Sequence, residues 1–151
     1  MQLFIGGACA GKRDAVMARF PEASWFRLAP GRPLADWRDQ ESPGPVRVVT
    51  GWLGWLEAAL AHEPDDDALR QQLAAELDRL GEAERRRGEE TVLILPEVGR
   101  GIVPMAAGDR RLRDLAGWLA QDAAARASRV WYVRHGLVMA LPQVKSQDGA
   151  R

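Results

Sequence analysis

An internal disulfide framework is closed to this chain, because its 151 residues include one cysteine, Cys9. An excess of charge is missing too: 21 Lys and Arg balance 21 Asp and Glu. A neutral chain sets up no broad field, which argues against nucleic acid or an anionic membrane surface as a partner. No apolar run reaches the roughly 18–20 residues of a membrane span, and no signal-peptide pattern opens the sequence. Histidine is scarce, with His62 and His135 the two in the chain. These absences predict a cytoplasmic protein with no membrane partner. The length suits one domain that buries roughly 70% of its unfolded surface.

What is present is an alternation of short apolar runs with longer helical patterns, the signature of an α/β domain. Strands are expected at "QLFIG" (2–6), "SWFRL" (24–28), "VRVVT" (46–50), "TVLIL" (91–95), "RVWYV" (129–133) and "LVMAL" (137–141). Helical spacing follows the first run in "KRDAVMARF" and the third in "GWLGWLEAALAHE", where Pro64 separates a further helix. In that helix Leu69, Leu73, Leu77 and Leu80 make one stripe, Asp65–Asp67 and Arg85–Arg87 suit the two ends of its dipole, and Gly88 is a natural stop. A last helix is expected from about Arg110 to Ala127. The Pro- and Gly-rich stretch from 29 to 45 and the stretch 96–109 read as loops. No internal repeat occurs, and the tail 143–151 reads as disordered.

The stretch "IGGACAGKRD" (5–14) joins the first strand to the first helix. Gly6, Gly11 and Lys12 keep the spacing G-x-x-x-x-G-K, in which glycines turn backbone N–H groups toward phosphate oxygens and lysine adds charge. The helix N-terminus then lies at the anion. Gly6, Gly7, Ala8, Cys9, Ala10, Gly11, Lys12 and Arg13 are therefore the expected ATP- or GTP-binding residues, with Lys12 also a catalytic candidate. On this reading, 1–142 is a P-loop nucleotide-binding domain of P-loop NTPase-like fold, a mainly parallel sheet flanked by helices. A loop of this type wants Ser or Thr after the lysine to complete Mg²⁺ coordination, and this chain has Arg13. Arginine cannot ligate a cation but does bind phosphate, so no protein metal ligand is assigned and the use of Mg²⁺ stays open. Asp14 offers an oxygen one residue on, turned about 100° from position 13, and otherwise reads as a solvated first-turn carboxylate. Cys9 reads as a small loop filler in a place that favours thiolate.

Further along, "EVGRGIVP" (97–104) and "RRLRDLAGWLAQ" (110–121) closely resemble the adenosylcobinamide kinase / adenosylcobinamide-phosphate guanylyltransferase family of cobalamin biosynthesis. With "GGACAGK", "VVTGWLGWL" and "ASRVWYVRHGLVMALP", the resemblance runs over nearly the whole chain. It implies a nucleotide-dependent kinase acting on the aminopropanol hydroxyl of a cobinamide, and a homotrimer. By resemblance the candidate substrate residues are Glu97, Val98, Gly99, Gly101, Arg110, Arg113 and Asp114, with Glu97 also a catalytic candidate. Glu97 suits a general base or a metal ligand, or a carboxylate that fixes its own loop. Arg110, Arg113 and Asp114 suit phosphate contacts or an ion-pair network.

The same resemblance marks losses. Thr50 stands where the family has an Asp associated with metal, Leu112 stands for a Phe, and Ala120 for an Asn. Between the second and third strands the family carries a histidine that becomes guanylylated; here that region is "APGRPLADWRDQESP", with no histidine. Guanylyl transfer through a phosphoramidate needs that imidazole, so this activity is expected to be lost. The remaining readings are a reduced kinase, or a catalytically inactive paralogue that holds nucleotide or corrinoid as a regulatory or structural subunit. His135 reads as a turn residue. Trp52, Trp55 and Trp118 read as core or interface, or as a platform for a corrinoid ring.

Overall fold

The structure is a computed structural model that describes residues 1–40, 44–97 and 107–142. One sheet holds six strands: β1 (Gln2–Gly6), β2 (Ser24–Arg27), β3 (Val46–Thr50), β4 (Glu90–Pro96), β5 (Arg129–Arg134) and β6 (Leu137–Leu141). Their order is β2-β3-β4-β1-β5-β6, with every pair parallel except β5 and β6. The helices are α1 (Lys12–Arg19), α2 (Trp52–Leu60), α3 (Asp66–Arg87) and α4 (Ala107–Arg126). This is the α/β, mostly parallel, P-loop-like architecture that the sequence predicts, with each strand within about a residue of its expected place.

Alternation along the central strands sorts the core into two layers. Leu3, Val49, Leu93 and Leu95 pack against α2, α3 and α4 on one face, while Phe4, Val48, Val92 and Ile94 meet Ala15 and Val16 of α1 on the other. The leucine stripe of α3 is fully buried. Asp65 caps that helix by accepting from the N–H groups of Asp67 and Ala68, and Gly88 ends it in the left-handed region at φ 68°. The tail 143–151 lies outside the described residues.

The stretch read as an unbroken loop contains a 3₁₀ helix, Leu34–Asp39. Residues three apart eclipse in such a helix, so Leu34 and Trp37 enter the core together. Trp37 Nε1 donates to Oε2 of buried Glu76 at 2.7 Å, and Arg38 and Arg79 pair with the same carboxylate at 3.2 and 3.4 Å. Arg47, also buried, lies 5.2 Å from the Trp37 ring and donates to Gln40 O; burial lowers its pKa, and Glu89 opposes that. The segment is thus pinned to α3 by one carboxylate. Glu76→Leu strands the buried Trp37 N–H and is expected to cost about 2 kcal/mol in chemical denaturation, with Glu76→Gln costing less because an acceptor remains.

Candidate functional site

Strand β1 stops at Gly6, where a Cβ would lie 2.3 Å from the Val133 carbonyl oxygen of β5. Only glycine lets the two strands approach this closely. The chain then folds back, Ala10 N–H donating to Gly7 O at 3.2 Å, with positive φ at Cys9 (58°) and Gly11 (93°). The β5–β6 turn supports this loop. His135 and Gly136 take φ 51° and 74°, as a two-residue hairpin turn requires, and Gly136 N–H donates to Ala10 O at 2.9 Å. His135 is thus the turn residue that its position suggested, beside the loop.

Helix α1 begins at Lys12 with Gly11 as its cap, and no side chain satisfies its first N–H groups. Those groups have no intrahelical acceptor, so they present donors and the positive end of the dipole. Lys12 lies back across the loop, its Nζ donating to Gly6 O at 2.9 Å and to Gly7 O at 2.7 Å. Burial lowers the Lys12 pKa from the ordinary lysine value, while Cys9 and Glu97 act in the opposite direction. Arg13 turns its guanidinium over the Trp25 ring of β2, 4.8 Å from the centroid.

The carboxyl ends of the strands enclose a cavity of about 640 Å³ at this loop. Cys9 to Asp14 form one side, Arg27 and the 50–54 segment a second, and Ile94 with Pro96 complete it. This is the edge where open α/β sheets bind ligands, and the volume is of ordinary ligand-pocket size. Thr50 is buried at the end of β3 and accepts from Leu28 N–H at 2.8 Å through its carbonyl. Among the described residues the lining holds three cations, Lys12, Arg13 and Arg27, against one carboxylate, Asp14. Mg²⁺ needs oxygen ligands in near-octahedral order, and among the described residues no group of three or more His, Cys, Asp or Glu is placed to hold a metal. Among the described residues the lining offers a nucleotide-borne Mg²⁺ one carboxylate, Asp14, beside three cations, a poor match to that ion.

Glu97 follows β4, its N–H donating to Gly6 O at 2.7 Å and its Oε1 accepting from Tyr132 OH at 3.1 Å. It flanks the loop without lining the cavity. Val98, Gly99 and Gly101 lie outside the described residues. Arg110, Arg113 and Asp114 sit on α4 and do not line the cavity, Arg113 lying 3.8 Å from its neighbour Asp114. Arg111 instead ties α4 to the link between α2 and α3, donating to Asp66 Oδ1 at 2.8 Å and to Glu63 O at 2.7 Å. His62 lies in the turn beyond the end of α2 and does not line the cavity, whereas Trp52 at the start of that helix does. Trp52 and Trp55 are core residues and Trp118 is half-buried against that core, with Arg70 at 5.2 Å. Among the described residues no helix is long and apolar enough to cross a membrane.

Trp25, Arg27 and Tyr132 were not foreseen. A signal existed for the first two: Trp25 and Arg27 are two apart on a strand, hence on one face. Tyr132 reaches Glu97 through strand order, which local patterning does not reveal.

Residues 22–141 match the family model described as cobinamide kinase / cobinamide phosphate guanyltransferase. That span starts after the loop 6–13, whose reading therefore rests on its own geometry. Similar curated proteins include the bifunctional adenosylcobalamin biosynthesis protein CobP of Pseudomonas aeruginosa, 33% identical over 132 residues, which cover 87% of this chain and 73% of that protein. The bifunctional adenosylcobalamin biosynthesis protein CobU of Escherichia coli is 41% identical over 75 residues, covering 50% of this chain and 41% of the relative. The protein of that name in Salmonella typhimurium is 38% identical over 97 residues, covering 61% and 54%. The chain thus spans about half the length of two of these three relatives.

Proposed function

This chain belongs to the cobinamide kinase / cobinamide phosphate guanyltransferase family, and on that premise we propose that it serves cobalamin biosynthesis by binding ATP or GTP through Gly6–Arg13, without guanylyl transfer. The observation that carries this reading is the cavity at the carboxyl edge, walled by the loop, the uncapped start of α1 and Lys12. Phosphoryl transfer depends on positioning and charge neutralisation. Here Lys12 would neutralise phosphate oxygens as a cobinamide hydroxyl attacks the terminal phosphorus and the nucleoside diphosphate leaves, and Glu97, oriented by Tyr132, would receive the hydroxyl proton. The reading includes a homo-oligomeric assembly.

A second reading, nucleotide or corrinoid held without turnover, is favoured by the lining itself, where among the described residues one carboxylate faces three cations. Calorimetric titration with ATP, GTP and a cobinamide, each with and without Mg²⁺, is expected to show nucleotide binding. No heat from either nucleotide would overturn the proposal. Phosphorylated cobinamide in the same mixture selects the kinase reading, and its absence selects the other.

The lost guanylyl transfer has its own test. Neither His62 nor His135 lines the cavity. Incubation with GTP should therefore leave the mass of the chain unchanged, and an acid-labile GMP adduct on either histidine would show that the activity persists.

A further inference from the structure

We propose that Arg27 is a phosphate-binding residue of this site, and that with Lys12 and Arg13 it receives a nucleoside polyphosphate that carries no divalent cation. The proposal rests on the nucleotide reading above and assigns the charge that completes it.

Arg27 ends β2 and pairs directly with Thr50 at the end of β3. Paired residues of neighbouring strands leave the same face, which here is the α1 face, since Trp25 pairs with Val48 of that layer. The Arg27 stem lies against Gly51, where a Cβ would stand 3.0 Å from Arg27 Cγ and 2.6 Å from the Leu28 carbonyl oxygen. Gly51 also has φ 83°, so both its conformation and its neighbours demand glycine. The glycine therefore leaves room for the Arg27 stem beside the cavity.

Among the described residues, no ion pair or hydrogen bond engages the Arg27 guanidinium. Arg13 is likewise held by a ring and not by a carboxylate. Three like charges around one cavity repel one another unless an anion enters. A guanidinium presents paired donors that match two phosphate oxygens, and Arg13 with Arg27 together bring the two positive charges that a Mg²⁺ ion would otherwise bring. A nucleotide that arrives with its own Mg²⁺ has less negative charge to offer these groups, and among the described residues its cation meets Arg13, Arg27 and a single carboxylate.

Calorimetry of the full chain with ATP in EDTA, and again in excess Mg²⁺, tests this. Wild-type affinity is expected to fall when Mg²⁺ is added. Arg27→Ala should weaken Mg²⁺-free binding roughly 10- to 100-fold and reduce the Mg²⁺ effect. Arg27→Lys should recover part of the loss, since charge remains while the fork is gone. Arg32→Ala removes a nearby exposed charge that does not line this cavity, and should stay within about threefold of wild type. Wild-type affinity for Mg²⁺-free ATP in both Arg27 variants would overturn the proposal and leave nucleotide binding intact. Absence of ATP and GTP binding by the wild type in either condition would overturn both.

Discussion

The double change Arg13→Ser with Thr50→Asp is expected to create Mg²⁺-dependent nucleotide binding that neither single change produces. Positions 13 and 50 both line the cavity, from the start of α1 and the end of β3. One protein oxygen leaves Mg²⁺ held largely by water, whereas a hydroxyl, a carboxylate and the nucleotide phosphates together approach an octahedral site. The two effects are therefore coupled, with a Mg²⁺-dependent gain of roughly tenfold or more in the double variant alone. Thr50→Asp by itself should weaken binding. The new carboxylate would face phosphate without a cation, and it would stand directly opposite Arg27, drawing that guanidinium away from the ligand. Tighter binding of ATP or GTP by the wild type in Mg²⁺ than in EDTA would contradict the premise and point to Asp14 or Glu97 as a ligand.

Gly6→Ala is expected to abolish nucleotide binding, by roughly 100-fold or more, and to destabilise the fold by about 1–3 kcal/mol. The obstacle is a backbone oxygen, Val133 O at 2.3 Å, and it belongs to a strand paired along its length with β1. Neither strand can yield without breaking the ladder, and Gly6 O also holds Lys12 Nζ and Glu97 N–H. A shift here displaces Lys12 and Glu97 together. Gly7→Ala, one residue on, meets nothing within 4 Å and should fold normally. Thermal unfolding and titration of the two variants side by side separate the close approach from mere loss of a glycine.

The strands were legible because buried parallel strands read as short apolar runs, and the caps of α3 because Asp and Gly act through their immediate neighbours. The 3₁₀ helix was not legible. Proline and glycine argue locally for a loop, while the partner that pins Trp37 is Glu76, distant in sequence. The tight turn of the 6–12 loop was readable from spacing, since its geometry is set by glycine positions within eight residues. Its surroundings were not. Arg13 read as a phosphate-binding residue in the place of a metal ligand, and its position over the Trp25 ring of β2 depends on tertiary packing. Arg27 and Tyr132 reach the site through strand order, which composition and periodicity do not encode. The arginines at 110, 111 and 113 look alike in sequence, yet in the structure Arg111 carries a tether to the α2–α3 link.

A crystal structure of the chain with a nucleoside triphosphate in EDTA tests the role of the loop most directly. Phosphate oxygens should lie about 3 Å from backbone N–H groups of the 6–13 loop and the first turn of α1, with Lys12 Nζ moved off Gly6 O and Gly7 O onto the phosphate. Nucleotide bound elsewhere, with Lys12 still donating to those two carbonyls, would contradict it.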